Sequence, residues 1–253
     1  MGVWRVRPPY LSPFVVNQSG REYLMKLMKT LMIPALTLGL FTVSAYAAKD
    51  AADRLKQATD VLVDMTKASD KGIPEDLLDK AQCIVVIPEL KKGGFIVGGK
   101  YGKGFIDCRR ANGRGWTPPG SIRVEGGSFG LQIGGAEADV VLLVMNQEGA
   151  KKLLESKFTL GGDATVAAGP VGRDSSANTD AKLTAGILSY SRARGAFAGL
   201  ALEGGTLRED LDDNAELYGS KLTNKQVLEG TTVPAAAQSF VHELSRLSHK
   251  REQ

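Results

Sequence analysis

Between Cys83 and Glu203 the chain alternates short runs of β-branched and aromatic residues with pairs of glycines. The runs are Cys83–Ile87, Phe95–Val97, Gly104–Cys108, Ser121–Val124, Phe129–Ile133 and Asp139–Val144, then Thr165–Ala168, Leu183–Ser191 and Ala196–Leu202. Valine and isoleucine suit a pleated, half-buried surface. Glycine pairs supply turns, bulges, or places where two backbones approach closely. Many short strands with such signals predict a strongly curved antiparallel sheet, or one closed into a barrel.

The flanks have a different period. Leu55, Ala58, Leu62 and Met65 share one face of a helix predicted over 50–69, and Asp53, Lys56, Asp60, Asp64 and Lys67 share the other. Gly72-Ile73-Pro74 ends it, and Glu75 to Lys80 adds a shorter helix. Asn146–Ser156 predicts a helix inside the strand-rich region. Further on, Thr223-Asn-Lys-Gln226 has the form of a capping box and Gly230 of a stop. Pro234 can open a last helix carrying a stripe of Ala237, Phe240, Val241, Leu244 and Leu247. That stripe is expected to pack on the sheet; a membrane-surface or partner helix is the alternative. The fold class is therefore α+β: a glycine-rich curved antiparallel sheet or barrel flanked by N- and C-terminal helices.

The N-terminus changes the charge balance. Lys26 and Lys29 precede an apolar stretch from Leu31 to Val43, and Ala45-Tyr46-Ala47 has the small residues that signal peptidase requires. Residues 25–47 are thus expected to be a signal peptide, cut between Ala47 and Ala48. The apolar stretch is shorter than the ~20 residues of a spanning helix. Residues 1–24 fit no signal-peptide design, so translation is expected to start at Met25, with 1–24 a mis-assigned upstream extension. Residues 48–253 form one mature domain, placed in the periplasm or envelope. The full chain has 32 basic and 28 acidic residues. Removing residues 1–47 removes five basic residues and one acidic, leaving 27 of each. A zero balance excludes a nucleic-acid role argued from overall basicity.

The zero sum hides a local excess. Lys91, Lys92, Lys100, Lys103, Arg109, Arg110, Arg114 and Arg123 face only Glu89 and Asp107 between positions 89 and 123, a local +6. Such a patch suits phospholipid head groups; the alternatives are pairing with the acidic stretch Glu203–Glu216, or simple solvation. Cys83 and Cys108 each sit in an apolar run. An oxidising compartment allows a disulfide between them, and two buried thiols fit equally well. Glu209-Asp-Leu-Asp-Asp213 lacks the ligand alternation of a calcium loop and suits a helix N-terminus and a solvated face.

Two motifs are declined. Gly94–Gly99-Lys100-Tyr101 comes near a phosphate-binding loop, but tyrosine stands where the magnesium-holding hydroxyl belongs. Gly126-Gly-Ser128-Phe-Gly130 matches a nucleophile elbow, but that motif needs a strand, a sharp turn and a helix, and Leu131–Gly135 reads as strand. His242 and His249 are the only histidines. No cofactor or metal is expected.

Ala81-Gln-Cys-Ile-Val-Val-Ile-Pro88 and Lys92-Gly-Gly-Phe-Ile-Val-Gly-Gly99 resemble the opening of a SYLF domain. So do Gly126–Gly134, Gly161–Arg173 and Ser189–Glu203, with Asn214-Ala-Glu-Leu-Tyr-Gly219 as the close. The motifs run in family order over roughly residues 50–230. The resemblance implies a lipid-binding module, phosphoinositide-binding in eukaryotic members and commonly exported in bacterial ones. The expected function is non-catalytic binding of anionic phospholipid at a membrane surface. Charge density, not the family, selects Lys91, Lys92, Lys100, Lys103, Arg109 and Arg110 as head-group contacts, with Arg192 and Arg194 as additions. The rivals are a structural or partner-binding envelope protein and, more remotely, a serine hydrolase using Ser128.

Overall fold

The computed structural model describes residues 50–68, 72–94, 97–111, 115–129, 134–170, 186–193, 196–197 and 204–248. Residues 1–47, which include the expected signal peptide 25–47, and Arg194 lie outside them. The order is α1 (Asp50–Lys67), α2 (Glu75–Lys80), β1 (Cys83–Gly94), β2 (Val97–Cys108), β3 (Gly120–Phe129), β4 (Gly134–Val144), α3 (Gln147–Leu153), β5 (Lys157–Thr159), β6 (Val166–Ala168), β7 (Ile187–Ala193), β8 (Ala196–Phe197), β9 (Thr206–Glu209), α4 (Leu211–Tyr218), α5 (Asn224–Glu229), a 3-10 turn (Ala235–Ala237) and α6 (Gln238–Leu247).

One sheet holds every strand, in the order β5-β9-β3-β2-β1-β4-β7-β6, with β8 beside β7. Its two end strands, β5 and β6, are separated by only six residues of chain, 160–165. Six residues cannot cross the width of a flat eight-stranded sheet at about 4.8 Å per strand. The sheet therefore curls into a half-barrel, as the glycine content predicts.

Alternation along the strands sorts the core into two clusters. Val85, Ile87, Leu90, Ile106, Ile122, Val124, Val140, Leu142 and Leu207 line the concave side, joined by Phe158 and by Leu228 of α5. Ile84, Val86, Phe105, Val141, Leu143, Leu188 and Tyr190 face the other way, onto the helices. Leu55, Ala58, Leu62 and Met65 of α1 meet that face, each fully buried. Burial of a leucine or methionine of this kind contributes roughly 2 kcal/mol. The stripe on α6 also packs: Phe240 sits 6.4 Å from Phe105, centroid to centroid, and Leu244 joins the same cluster. The opposite face of α1, with Asp53, Lys56, Asp60, Asp64 and Lys67, is exposed.

The ends follow their signals. Asn146 caps α3, its side-chain oxygen accepting from the Gly149 amide, and the helix stops at Leu153, three residues before the predicted end. Thr223 and Gln226 form the expected capping box on α5, with Gly230 at its C-cap.

A single extra residue in β1 divides the sheet. Val86 pairs with Phe105 and Lys91 with Tyr101, five residues against four, and the same step recurs against β4. The bulge carries Pro88 and Glu89, whose φ is +51°. The Glu89 amide donates to Asp139 Oδ1 at 3.1 Å, which holds this otherwise disfavoured backbone in place. The bent strand presses on β2: a Cβ at Gly104 would lie 2.1 Å from the Val86 carbonyl oxygen. Only glycine fits there.

Beyond the bulge the strands continue where the sequence suggested turns. Gly135, Gly93, Gly99 and Gly127 form one row across β4, β1, β2 and β3. These four glycines are thus strand residues stacked in register, whereas Gly161 and Gly162 do make a turn. The strands are correspondingly longer than predicted, twelve residues in β1 and in β2.

Candidate functional site

The six basic residues expected between positions 91 and 110 divide at the bulge. Lys91, Lys92 and Lys100 lie beyond it; Lys103, Arg109 and Arg110 lie before it. Their environments differ in kind.

Lys103 points at α4. Its Nζ is 2.9 Å from Asp210 Oδ2 and 2.8 Å from Asp213 Oδ1. Asp213 also takes Arg54 of α1. Burial lowers the Lys103 pKa, but the hydrogen bonds and charges of Asp213 and Asp210 outweigh it, and the net shift is upward. Asp210 is the N-cap of α4 and accepts from the Asp213 amide. The acidic cluster therefore sits at a helix N-terminus as expected, but Asp210 and Asp213 are buried counter-ions and not a solvated face.

Arg109 is a clasp. Its guanidinium donates to the carbonyls of Leu78 and Asp79 at the end of α2, to that of Ala81, and to that of Ser248 after α6. It also lies 4.3 Å over the Trp116 ring. The orphan carbonyls of a helix C-terminus find their donors here. Arg110 donates from Nε to the Trp116 carbonyl. Arg192 ties three elements together, reaching Asp64 of α1 at 2.9 Å and Asp139 of β4 at 3.6 Å. Lys103 thus pairs with the acidic stretch Glu203–Glu216, the alternative to head-group contact, while Arg109, Arg110 and Arg192 have internal partners that spacing along the chain did not disclose.

Three lysines remain beyond the bulge. Lys91 is 70% exposed, with Glu137 at 3.9 Å. Lys92 is half-buried and stands directly opposite Lys100. Register partners share a face of the sheet, so this is a like-charge pair, an arrangement that costs stability unless compensated. Lys100 is only 6% exposed and also has a partner. Beside them Tyr101 is half exposed, the one large apolar side chain so exposed among the described residues.

Cys83 and Cys108 are opposite each other in register and joined as a disulfide, with Cα atoms 4.0 Å apart. The Arg109 amide donates to the Gln82 carbonyl, so the cysteines occupy a non-hydrogen-bonded pair, where side chains come closest. The bridge lies within the concave core.

Asp107 is the most buried acid. Oδ1 accepts from the Thr117 hydroxyl at 2.6 Å, while Oδ2 is buried without a partner. Burial pushes its carboxyl well above the usual range, against the pull of Thr117, the backbone amides and Arg110. A folded pKa above the unfolded one means that ionised Asp107 costs stability above the folded pKa. That cost is relieved as pH falls through it. Asp107→Asn is expected to stabilise residues 48–253 by about 1 kcal/mol at pH 7, with the advantage fading toward pH 4. Urea midpoints at the two pH values check this; an equal gain at both would refute it.

Ser128 is backbone-paired with Gly98 inside β3, and Gly130 to Ile133 fall outside the described residues. His242 is exposed on α6. Sequence reasoning counted Arg123 in the basic patch but missed its grouping with Lys157 and Arg208, which depends on strand register, and with Lys221.

A family described as "Ysc84: Las17-binding protein actin regulator" matches residues 125–247. LAS seventeen-binding protein 3 of Saccharomyces cerevisiae is 33% identical over 190 residues, covering 72% of this chain and 41% of the relative. SH3 domain-containing YSC84-like protein 1 of Homo sapiens is 31% identical over 207 residues, 81% of this chain and 59% of the relative. The chain spans between two fifths and three fifths of the length of these proteins, which are named for binding or for the domains they carry. With its curved sheet and flanking helices, the chain belongs to the SYLF (Ysc84) family.

Proposed function

We propose that the mature chain, 48–253, is an exported, non-catalytic lipid-binding protein that docks on anionic phospholipid through the length of sheet beyond the bulge. The observation that carries this is the concentration of cations on β1 and β2 beyond the bulge, on glycine-rich strands, with exposed Lys91 and Tyr101 on one face and half-buried Lys92 opposite Lys100 on the other. Lysines meet phosphate and a tyrosine ring suits the interfacial zone. Lys103, Arg109, Arg110 and Arg192 leave the contact set and hold the fold that presents it. The cross-strand disulfide supports an oxidising compartment.

Each lysine near an anionic surface contributes about 1 kcal/mol. Lys91→Glu with Lys92→Glu should therefore weaken binding by at least about 30-fold. The measurement is co-sedimentation of residues 48–253 with vesicles of neutral lipid, with and without anionic phospholipid, at low and moderate salt. Binding to anionic vesicles that weakens with salt and with the double substitution is expected. Equal binding by the variant removes this surface from the proposal.

The second reading is a partner-binding envelope protein, favoured by the names of the relatives. Recovery of one protein from cross-linked envelopes, undisturbed by lipid, would support it over the first.

A further inference from the structure

Four cations stand in one row across four neighbouring strands. Lys157 of β5 is opposite Arg208 of β9, Arg208 is opposite Arg123 of β3, and Arg123 is opposite Lys103 of β2. Direct register places all four on the same face of the sheet, where like charges oppose one another. Asp210 and Asp213 neutralise Lys103. Arg123 and Arg208 of the row line a cleft of about 360 Å³ together with Ser156, Glu209, Asp212 and Lys221, with Leu211 at the start of α4.

The carboxylates here already have partners. Asp212 holds Lys221 at 2.8 Å. Glu209 Oε2 accepts from the Asn224 amide at 3.0 Å. Glu125 accepts from Arg123 Nε at 2.9 Å and lies 3.6 Å from Arg208 Nε. At that longer distance Arg208 Nε is buried and makes no hydrogen bond. A buried donor left this way is costly. Arg123 sends a second bond only to the Glu209 carbonyl, at 3.4 Å.

We propose that this cleft binds a single phosphate group between Arg123 and Arg208, with Lys221 and the Ser156 hydroxyl at its wall. Planar guanidinium forks match phosphate oxygens in pairs. An anion between the two arginines turns their mutual repulsion into shared attraction and gives Arg208 an acceptor. The balance of charge sets the size of the ligand. Arg123, Arg208, Lys157 and Lys221 against Glu125, Glu209 and Asp212 leave +1, which suits one small anion and not a polyanion. The site is separate from the lysines beyond the bulge and does not depend on the membrane reading.

The test is titration of the mature chain with inorganic phosphate, followed by amide NMR, with chloride at matched ionic strength as the control. Saturable shifts at Ser156 and at 208–212 are expected with phosphate alone. Arg208→Gln should weaken the response at least tenfold, and Arg208→Lys, which keeps the charge and loses the fork, should fall between. Arg123→Gln carries the same expectation if Arg208→Gln does not fold. Shifts that chloride reproduces, no saturable shift, or an unchanged response in a folded glutamine variant overturn the proposal. The source is separated by two further probes. Phosphatidic acid in phosphatidylcholine vesicles displacing phosphate from the cleft assigns a lipid head group; glycerol phosphate binding without vesicle competition assigns a soluble phosphoester. Failure here would leave vesicle sedimentation through Lys91 and Lys92 untouched.

Discussion

Replacing Lys103 with methionine lowers the unfolding free energy of residues 48–253 by about 3 kcal/mol, the usual scale for breaking a buried pair from one side. The side chain is partly buried between two acids that are nearly sealed from water. Its removal leaves Asp210 unpaired and Asp213 with Arg54 alone. Neither acid can turn outward easily, because Asp210 caps α4 and Asp213 sits in its first turn. Methionine keeps most of the apolar stem, so lost packing is a small part of the effect. Urea unfolding of Lys103→Met, Asp213→Asn and the double variant provides a cycle. The double variant should lose clearly less than the sum of the singles. A single loss below about 1 kcal/mol, or simple additivity, would show that the cluster is solvated in practice.

Converting both Cys83 and Cys108 to alanine is expected to cost about 3.5 kcal/mol, from the loop-closure relation for the 25-residue separation. For a domain of this size that corresponds to a fall in Tm of roughly 10 °C. Reductant should lower the midpoint of the natural chain by a similar amount and leave the double alanine variant unmoved. Thiol titration of the denatured, unreduced protein should find no free thiol. Two free thiols, or an unmoved midpoint after verified reduction, would mean that the paired strands alone hold this corner.

Local features were legible where local physics decides them. Leu55, Ala58, Leu62 and Met65 show their shared face in spacing alone, and all four are buried. Thr223 and Gln226 cap a helix through bonds spanning three residues. The curved sheet follows from glycine-punctuated β-branched runs. What spacing does not carry is register. Gly93 and Gly99 look like turn residues until they are seen stacked between Gly135 and Gly127. The pairing of Lys103 with the acidic stretch stays only an alternative in the sequence, because Asp213 is 110 residues away. Arg109 looks like a surface cation, since its acceptors come from α2 and from the residue after α6. Arg123, Arg208 and Lys157 become neighbours only when β3, β9 and β5 align. The cysteine pair was open for the same reason. Charge density marked a stretch of chain but not which of its cations face outward.

The bulge at Pro88 and Glu89 also separates two kinds of evolutionary freedom. Before it, a Cβ added to Gly104 collides with the main chain; beyond it, one added to Gly93 or Gly127 meets nothing within 4 Å. Below the kink, a substitution is judged first by whether the chain still folds. Above it, a substitution is judged by what the surface touches. A lineage can therefore change the surface at open positions such as Gly93 and Gly127 without first acquiring compensating stability in the core, while Gly126, where a Cβ would lie 3.1 Å from the Gly204 carbonyl oxygen, keeps the constraint.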